Sequence, residues 1–461
     1  MSLRRHRRHA PRHASLAFAS LLLGGASCDR AAIDLGGDYE LSALRPALLN
    51  PNIDVLFVID DTGTMKGRLS QVAGLVDQAL VDILEQSISQ QPNLHIGVIT
   101  TDMGCGNNQG DDGQLQAAPG CLADEVPYIV DVDDGLGGRV SNAVGSISDS
   151  LACLTSVGTE GCGFEAPLAA VTRAMERMTN DDAGGFLRDD ALLFVVVLTD
   201  EDDCSVDGDG AGLFDTNGEP FGLRDSFRCF EYGTSCDQEA AALGDKTGCV
   251  ASSTDRLVRP IEPTLDALVA AKGGDRHKVF VSLITGGAWP IRVETQDDAS
   301  NNPGWWTLAP SCSSTVDGEL VPAYPAPRLR DFARLLPGQA WEESICLDDL
   351  GPAVERSSRA VGDIAGQRAC LHGALIDVDP DAGGLQPSCR ATAVLGEAPP
   401  VEVPPCADAT QGAACFTLEH DVDACAHTGA ALRAELHPGD RPELAEATVA
   451  YACLTATSVA R

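Results

Sequence analysis

Four short runs of nearly unbroken apolar residues constrain this chain more than any other feature: "DVLFVID" (54–60), "LHIGVIT" (94–100), "ALLFVVVLTD" (191–200) and "KVFVSLIT" (278–285). A strand with one wet face alternates apolar and polar residues, and these do not. They require a sheet covered on both faces, which parallel strands with crossover helices provide. The intervening segments supply the helices. Leu69, Val72, Val76, Ala79, Leu80 and Ile83 recur at helical spacing, as do Leu168, Val171 and Met175, and a further helix is expected over 264–271. "AWEESIC" (340–346) suits an edge strand, and Leu350, Val354, Val361 and Ile364 form the stripe of a closing helix. The pattern predicts an α/β domain over residues 51–368, built on a doubly wound, mostly parallel sheet. Beyond it, short strand-like runs, the proline-rich "GEAPPVEVPPC" and six cysteines between 370 and 453 predict a small disulfide-tied β module over 369–461.

Residues 1–27 follow a different rule. Arg4, Arg5, Arg7, Arg8 and Arg12 precede "ASLAFASLLL", an apolar run too short to span a bilayer, and this reads as a secretion signal. The following "LLLGGASC" resembles a bacterial lipobox, so Cys28 is expected to become the lipidated N-terminus; Gly25 departs from the leucine-like residue that the pattern prefers. Residues 28–50, poor in large apolar side chains, read as a tether. Setting Cys28 aside leaves 16 of the 17 cysteines, an even number as a fully paired secreted protein needs. None forms a C-x-x-C pair or has histidine at finger spacing, which argues against zinc ribbons and thioredoxin-like redox chemistry. Local spacing suggests Cys105 with Cys121, Cys153 with Cys162, Cys370 with Cys389, Cys406 with Cys415 and Cys425 with Cys453, although spacing alone does not determine connectivity. The formal net charge is −36, and loss of the five leader arginines takes Lys+Arg from 32 to 27 against 68 Asp+Glu, or −41. Phosphate contact needs a basic patch, so nucleic acid is not an expected partner, and membrane contact is expected through the lipid alone.

In open α/β sheets, ligands bind outside the carboxyl ends of the strands. Asp60 sits at such an end, and "DDTGTM" puts Asp60, Thr62 and Thr64 on alternate residues of a tight loop opened by Gly63. One carboxylate and two hydroxyls on the same side suit a hard divalent cation. The third apolar run ends likewise, at Asp200. These residues resemble the metal-ion-dependent adhesion site of the von Willebrand factor type A (vWA) family, whose loop reads Asp-x-Ser-x-Ser and whose later strand ends in Thr-Asp. The resemblance spans roughly 51–368 and is strongest at 54–65 and 191–200. Threonine replaces serine at both loop positions, which keeps the hydroxyls and adds two methyls. The resemblance implies a vWA/Rossmann-like fold, Mg²⁺ (or Mn²⁺ or Ca²⁺) at Asp60, Thr62, Thr64 and Asp200, and adhesion through the ion. The family's third ligand is a threonine on a loop before a helix. Here "VGTEGCGFEAPLAAV" offers Thr159 and Glu165, of which Glu165 lies where the loop meets the helix. A glutamate there is also a plain dipole partner, and Asp61, Thr62 and Thr64 are also good helix-capping residues.

Asp102, in "TTDMG", is either close to the ion or an ordinary loop acid. The acidic "DVDDG" (131–135) and "DVDPDAGG" (377–384) lack the glycine and distal glutamate of an EF-hand and read as solvated turns. Segments 101–126, 201–253 and 286–327 would leave the sheet at the edge that carries the ion. Each contains cysteine and is expected to be ordered. Trp289, Trp305 and Trp306 in the third are either partner anchors or a local core. No G-x-S-x-G, H-E-x-x-H or phosphate-cradling glycine loop occurs. The expected function is that of a non-enzymatic, lipid-anchored cell-envelope protein that binds a protein or polymer partner through a divalent cation. A scaffold with a degenerate site, or a metal-dependent hydrolase using Asp60 and Asp200, are the alternatives.

Overall fold

The computed structural model of the 461-residue chain describes residues 39–45, 50–69, 91–105, 109–180, 185–206, 212–214, 226–252, 257–296, 305–316, 318–366, 369–395, 398–425 and 428–456. The expected signal peptide, Cys28 and most of the helix expected from Leu69 to Ile83 lie outside these residues. Ile33–Arg461 forms one compact unit.

Along the chain, β1 (Tyr39–Arg45) precedes β2 (Asn52–Ile59), β3 (Asn93–Thr100), β4 (Ile129–Asp133) and β5 (Arg139–Ser141). Helices α1 (Ile147–Leu154) and α2 (Pro167–Thr179) lead to β6 (Leu192–Leu198). Helix α3 (Phe227–Gly233) and the two-residue strands β7 (Thr234–Ser235), β8 (Gly244–Asp245) and β9 (Val250–Ala251) follow, then α4 (Glu262–Ala271) and β10 (Val279–Thr285). Strands β11 (Arg292–Gln296), β12 (Trp305–Leu308), β13 (Cys312–Val316) and β14 (Glu319–Ala323) precede α5 (Pro327–Arg334), β15 (Ala340–Ser344) and α6 (Gly351–Ala365). The C-terminal elements are β16 (Cys389–Val394), β17 (Val401–Val403), β18 (Cys415–His420), α7 (Val422–Cys425), β19 (Leu432–His437) and β20 (Thr448–Leu454).

Seven strands form one mixed sheet in the order β15-β10-β6-β2-β3-β4-β5. Neighbours from β15 to β3 are parallel, and β4 and β5 are added antiparallel at one edge. Ile53, Val55, Phe57 and Ile59 of β2 pack with Leu151 of α1 and with Ala353, Val354, Val361 and Ile364 of α6. Leu56 and Val58 face the other way, against Leu168, Val171 and Met175 of α2, Leu268 of α4, and Leu329 and Phe332 of α5. Both faces are dry, which is why the strands show no alternation. Each such side chain stabilises the fold by about 1.5–3 kcal/mol on full burial. One charge interrupts β2. Asp54 is fully buried, and Lys272 Nζ lies 2.6 Å from its Oδ2 and Arg188 Nε 2.8 Å from its Oδ1.

The C-terminal strands form an antiparallel sheet, β1-β20-β16-β17, beside the β18–β19 hairpin. The tether read over 28–50 is corrected here: residues 39–45 pair with β20 from Tyr39↔Leu454 to Arg45↔Val449, and Leu41, Ala43 and Leu44 are buried. "YELSALR" has too few aliphatic residues to announce itself as a strand, and its cross-strand partners stabilise it instead. The module expected over 369–461 therefore takes its edge strand from a segment that precedes the seven-stranded sheet.

Eight disulfides join the sixteen cysteines from Cys105 onward: Cys105–Cys162, Cys121–Cys153, Cys204–Cys229, Cys236–Cys249, Cys312–Cys346, Cys370–Cys425, Cys389–Cys453 and Cys406–Cys415. Only Cys406–Cys415 agrees with the pairs drawn from local spacing. Cys105–Cys121, Cys153–Cys162, Cys370–Cys389 and Cys425–Cys453 do not form. The loops fold across one another, so Cys105 and Cys121 both bridge to the 153–162 segment, while Cys389 and Cys453 face each other on the paired strands β16 and β20. "DVDDG" is also only partly a turn. Asp131 and Asp133 belong to β4, Asp131 pairs with Arg139, and the turn proper is closed by Asp134 Oδ1 accepting from the backbone N–H of Leu136 (2.7 Å) and Gly138 (2.9 Å). In the third long segment, Trp306 packs in a small core with Phe227, Phe230, Ile291 and Val293, and its Nε1 donates to Ala241 O (2.8 Å). Trp289 is 46% exposed with the Arg330 guanidinium over its ring; the side chain of Trp305 lies outside the described residues.

Candidate metal site at the carboxyl edge of the sheet

Strands β2 and β6 are parallel neighbours in register, Ile59 opposite Leu198, so they end side by side. Asp60 N donates to Leu198 O (3.0 Å), which locks the first residue after β2 beside the first residues after β6. Thr101, after β3, is fixed to the same end by its N–H on Ile59 O (3.1 Å). Parallel register alone thus brings Asp60, Thr199, Asp200 and Thr101 to one edge.

The loop after β2 turns as a single 3-10 turn over Gly63–Met65, and residues 66–69 are helical. Asp60 Oδ1 accepts from Thr62 N (2.9 Å) and Thr62 Oγ1 (2.6 Å), and Asp60 Oδ2 from Thr199 Oγ1 (2.8 Å). Thr62 Oγ1 lies 3.0 Å from Thr64 Oγ1, which donates to Asp200 Oδ1 (3.2 Å). Asp60, Thr62, Thr64 and Asp200 are therefore one hydrogen-bonded group. Thr62 makes no side-chain cap bond at the turn, so its hydroxyl serves the carboxylate rather than the helix.

Glu165 joins them. It precedes α2, whose first amides are capped from the second long segment: Leu168 N donates to Asp203 Oδ1 (3.1 Å) and Ala169 N to Ser205 Oγ (2.7 Å). The dipole role foreseen for Glu165 is thus filled by other residues. Its Oε2 accepts from Thr101 Oγ1, while Oε1 is buried with no hydrogen-bond partner. Thr159 is half-buried, and among the described residues no hydrogen bond ties it to this group. Asp102, 5% exposed, accepts from Gly104 N at 2.7 Å and adds its field at Asp61. Asp61 is packed against Gly161, whose N–H donates to Asp61 O (3.0 Å); a Cβ at 161 would meet Asp61 Oδ1 at 2.4 Å, so a larger residue there would have to displace the Asp61 carboxylate.

The carboxylates are held in an unfavourable state for free anions. Burial raises the pKa of Asp60, against the opposing hydrogen bonds from Thr62 and Thr199. Burial and then Asp60 push Glu165 well above the usual carboxylate range. Burial, then the charge of Asp60, raise Asp200 to about 7 in spite of Arg68. Asp61 also reaches about 7, from burial and then the charges of Asp102 and Asp111.

Sequence reasoning missed three residues of this group. Thr101 and Thr199 stand beside residues already singled out, but a hydroxyl in "TTD" or "LTD" carries no mark of what it will face. Arg68 gave no signal at all. It is fully buried, its Nη1 lies 2.7 Å from Asp200 Oδ2 and 3.0 Å from Pro322 O, and its Nη2 donates to Val321 O (2.9 Å). The partner is 132 residues away in sequence.

Among the described residues, no group of three or more His, Cys, Asp and Glu side chains is placed to hold a metal ion. A cation at this edge would depend on the threonine hydroxyls as well. Adjacent ligands of an octahedral Mg²⁺ at about 2.0–2.1 Å stand about 3 Å apart; the Thr62–Thr64 and Thr64–Asp200 oxygens, 3.0 and 3.2 Å apart through their hydrogen bonds, are compatible with that, and Thr62 Oγ1 and Asp60 Oδ1, at 2.6 Å, are closer. All donors in the set are oxygens, as a hard cation prefers.

Fold and site together define a disulfide-rich α/β protein with a carboxylate–hydroxyl cluster at the carboxyl edge of its main sheet. No protein-family model matches the chain, and no curated protein matches it. Among solved structures it is similar to the proximal thread matrix protein 1 of the mussel byssus (8% identity, TM-score 0.31), with 72% of this chain and 52% of that one covered. It is also similar to the pilus adhesin SpaC of Lactobacillus rhamnosus GG (12% identity, TM-score 0.31, 92% of this chain and 44% of that one). The human COPII-coat protein Sec24c gives 10% identity, a TM-score of 0.28 and coverage of 88% and 44%. The chain spans about half the length of these proteins.

Proposed function

We propose that this is a non-enzymatic binding protein of the cell envelope, with a doubly wound vWA-like domain that takes a divalent cation at Asp60, Thr62, Thr64, Asp200 and Glu165. The observation that carries the reading is a shared pattern in the three carboxylates. Each has one oxygen tied by a donor outside the loop: Asp60 Oδ2 by Thr199, Asp200 Oδ2 by Arg68, Glu165 Oε2 by Thr101. The other oxygens of Asp60 and Asp200 meet the threonine hydroxyls, and that of Glu165 has no partner. Carboxylates oriented in this way by outer partners are typical of ligands held for a metal. Mg²⁺, or Mn²⁺ or Ca²⁺ in its place, would supply a Lewis-acidic point at which an oxygen of a protein or polymer partner binds.

The envelope part of the reading rests on other observations. Eight disulfides suit an oxidising compartment, and no helix among the described residues is long and apolar enough to cross a membrane. Anchoring through Cys28 fits both. A metal-free scaffold is the second reading, favoured by the bond of Arg68 to Asp200, which already gives one carboxylate a cation. Pull-down from an envelope extract in Mg²⁺ and in chelator separates the two. Capture of a partner only with Mg²⁺ supports the first reading, and equal capture in chelator overturns it.

A further inference from the structure

We infer that Arg68 is a positioning residue that acts through Asp200: a resident internal cation that competes with a divalent ion and couples the site to the β13–β14 hairpin. The inference rests on the metal-binding reading above and adds to it what sets the strength of the site.

Three observations carry it. Arg68 lies in the short helical stretch that follows the ligand loop, four residues after Thr64, and its side chain is completely buried, as is that of Asp200. Its guanidinium is shared between Asp200 Oδ2 and the carbonyl oxygens of Val321 and Pro322 on β14. The hairpin is fastened to Asp200 a second time, by Tyr324 N on Asp200 O (2.8 Å). It also leans on the start of the 66–69 helix, where a Cβ added at Gly67 would meet Val316 Cγ1 at 2.9 Å. Gly318, Glu319 and Leu320 at its tip are exposed, Leu320 by 73%, and its base is clamped by Cys312–Cys346.

The consequence follows from charge. Outer partners of metal ligands usually help, and losing one typically weakens the metal 10- to 100-fold. Those partners do not normally carry a full positive charge. A guanidinium and a dication sharing one carboxylate repel each other by about tenfold in affinity even in a water-like dielectric, and by several further powers of ten at the effective dielectric of a protein edge. Repulsion therefore outweighs positioning. Arg68 offsets the charge of Asp200 and keeps the hairpin docked, and it keeps the affinity for the ion low enough for release. When the ion binds, the hold of Arg68 on Asp200 weakens, and with it the hold on Val321 and Pro322.

The test compares wild type with Arg68→Gln, which retains a donor but no charge, and Arg68→Lys, which retains the charge. Affinity for Mg²⁺ and Mn²⁺ is read by calorimetry, and amide exchange over 312–323 is read with and without metal. Arg68→Gln is expected to bind the ion at least tenfold more tightly and to lose the metal-dependent change in hairpin exchange. Arg68→Lys should stay within about threefold of wild type. Weaker or unchanged binding in Arg68→Gln, with both variants folded by circular dichroism, overturns the inference and leaves the metal-binding reading intact. Absence of binding in wild type and in both variants overturns both. Binding that appears only in Arg68→Gln upholds the competition in its strongest form.

Discussion

Asparagine at position 60 is the substitution that separates charge from hydrogen bonding at the site. Asp60 accepts three hydrogen bonds, from Thr62 N, Thr62 Oγ1 and Thr199 Oγ1, at 2.9, 2.6 and 2.8 Å. Asn has the same shape, so its oxygen still takes the Thr62 N–H while its NH₂ turns to Thr199 Oγ1, which then accepts. Each bond falls from the charge-assisted to the neutral class, a loss of about 1 kcal/mol, or about 3 kcal/mol for three. Against that, a fully buried carboxylate beside Asp200 and Glu165 no longer has to be desolvated, which returns several kcal/mol. Without metal, Asp60→Asn should therefore stay within about 1–2 kcal/mol of wild type. Asp60→Ala should instead lose about 1–3 kcal/mol, because it leaves the buried Thr62 N–H without an acceptor. With Mg²⁺ at a hundredfold excess over its dissociation constant, wild type should gain about 2.7 kcal/mol and Asp60→Asn nothing. At roughly 2 °C per kcal/mol for a chain of this size, the metal-induced shift in Tm is about 5 °C. Scanning calorimetry in chelator and in millimolar Mg²⁺ reads both quantities. A full metal shift retained by Asp60→Asn would remove Asp60 from the ligand set, and no shift in wild type would refute the site.

Three further outcomes are expected. Lys272→Met should destabilise the protein by about 1.5–3 kcal/mol in urea titration, because it removes a charge-assisted bond to the fully buried Asp54 while Arg188 stays paired with it; a loss under 1 kcal/mol would show that this cluster is incidental. His95 is held below its usual 6.5, first by burial and then by Arg188, so its protonation favours the unfolded chain. The stability it contributes is complete above pH 6.5 and falls as pH drops through its folded-state value. His95→Gln should flatten that acid-side loss in urea midpoints, and parallel pH profiles would refute the assignment. Mass mapping of the unreduced protein should recover Cys389–Cys453 and Cys370–Cys425 rather than Cys370–Cys389 and Cys425–Cys453, and the reverse pairing would contradict the β16–β20 register.

The parts of the fold that were legible in advance are those set by local pattern. "DVLFVID", "LHIGVIT", "ALLFVVVLTD" and "KVFVSLIT" became β2, β3, β6 and β10 because an unbroken apolar run has one way to stay dry, and Leu350, Val354, Val361 and Ile364 marked α6 and its cap for the same reason. Asp60, Thr62, Thr64 and Asp200 were legible because strand ends in a parallel sheet converge. What escaped depends on long-range pairing. β1 lies beside β20 more than 400 residues away (Tyr39↔Leu454), the antiparallel β4 and β5 extend an otherwise parallel sheet, and disulfides cross between loops. Arg68 escaped because a surface-looking arginine on a helix reads as solvated until a hairpin 253 residues later, at Val321, covers it.

The two ends of β2 show why a cation is expected at one of them only. Near its start, Asp54 is buried with Lys272 and Arg188 both within 3 Å, so one negative charge meets two positive ones, and Lys272 gives its remaining bond to Arg188 O. That end needs nothing more, and its charges serve to fix α4 to the strands. At its finish, Asp60, Asp200 and Glu165 gather with Asp61 at their side, and among the described residues Arg68 is the cation that pairs with them. A protein can bury such an excess of carboxylate only by protonating it or by supplying a counter-charge. Burial and the neighbouring carboxylates raise the pKa values of Asp200, Glu165 and Asp61, which is the first solution. A divalent ion, as proposed above, would be the second, and it would also engage the partnerless Oε1 of Glu165. An aspartate within β2 and one just past its end thus stand in opposite surroundings, and the difference lies in how many cations the fold itself provides.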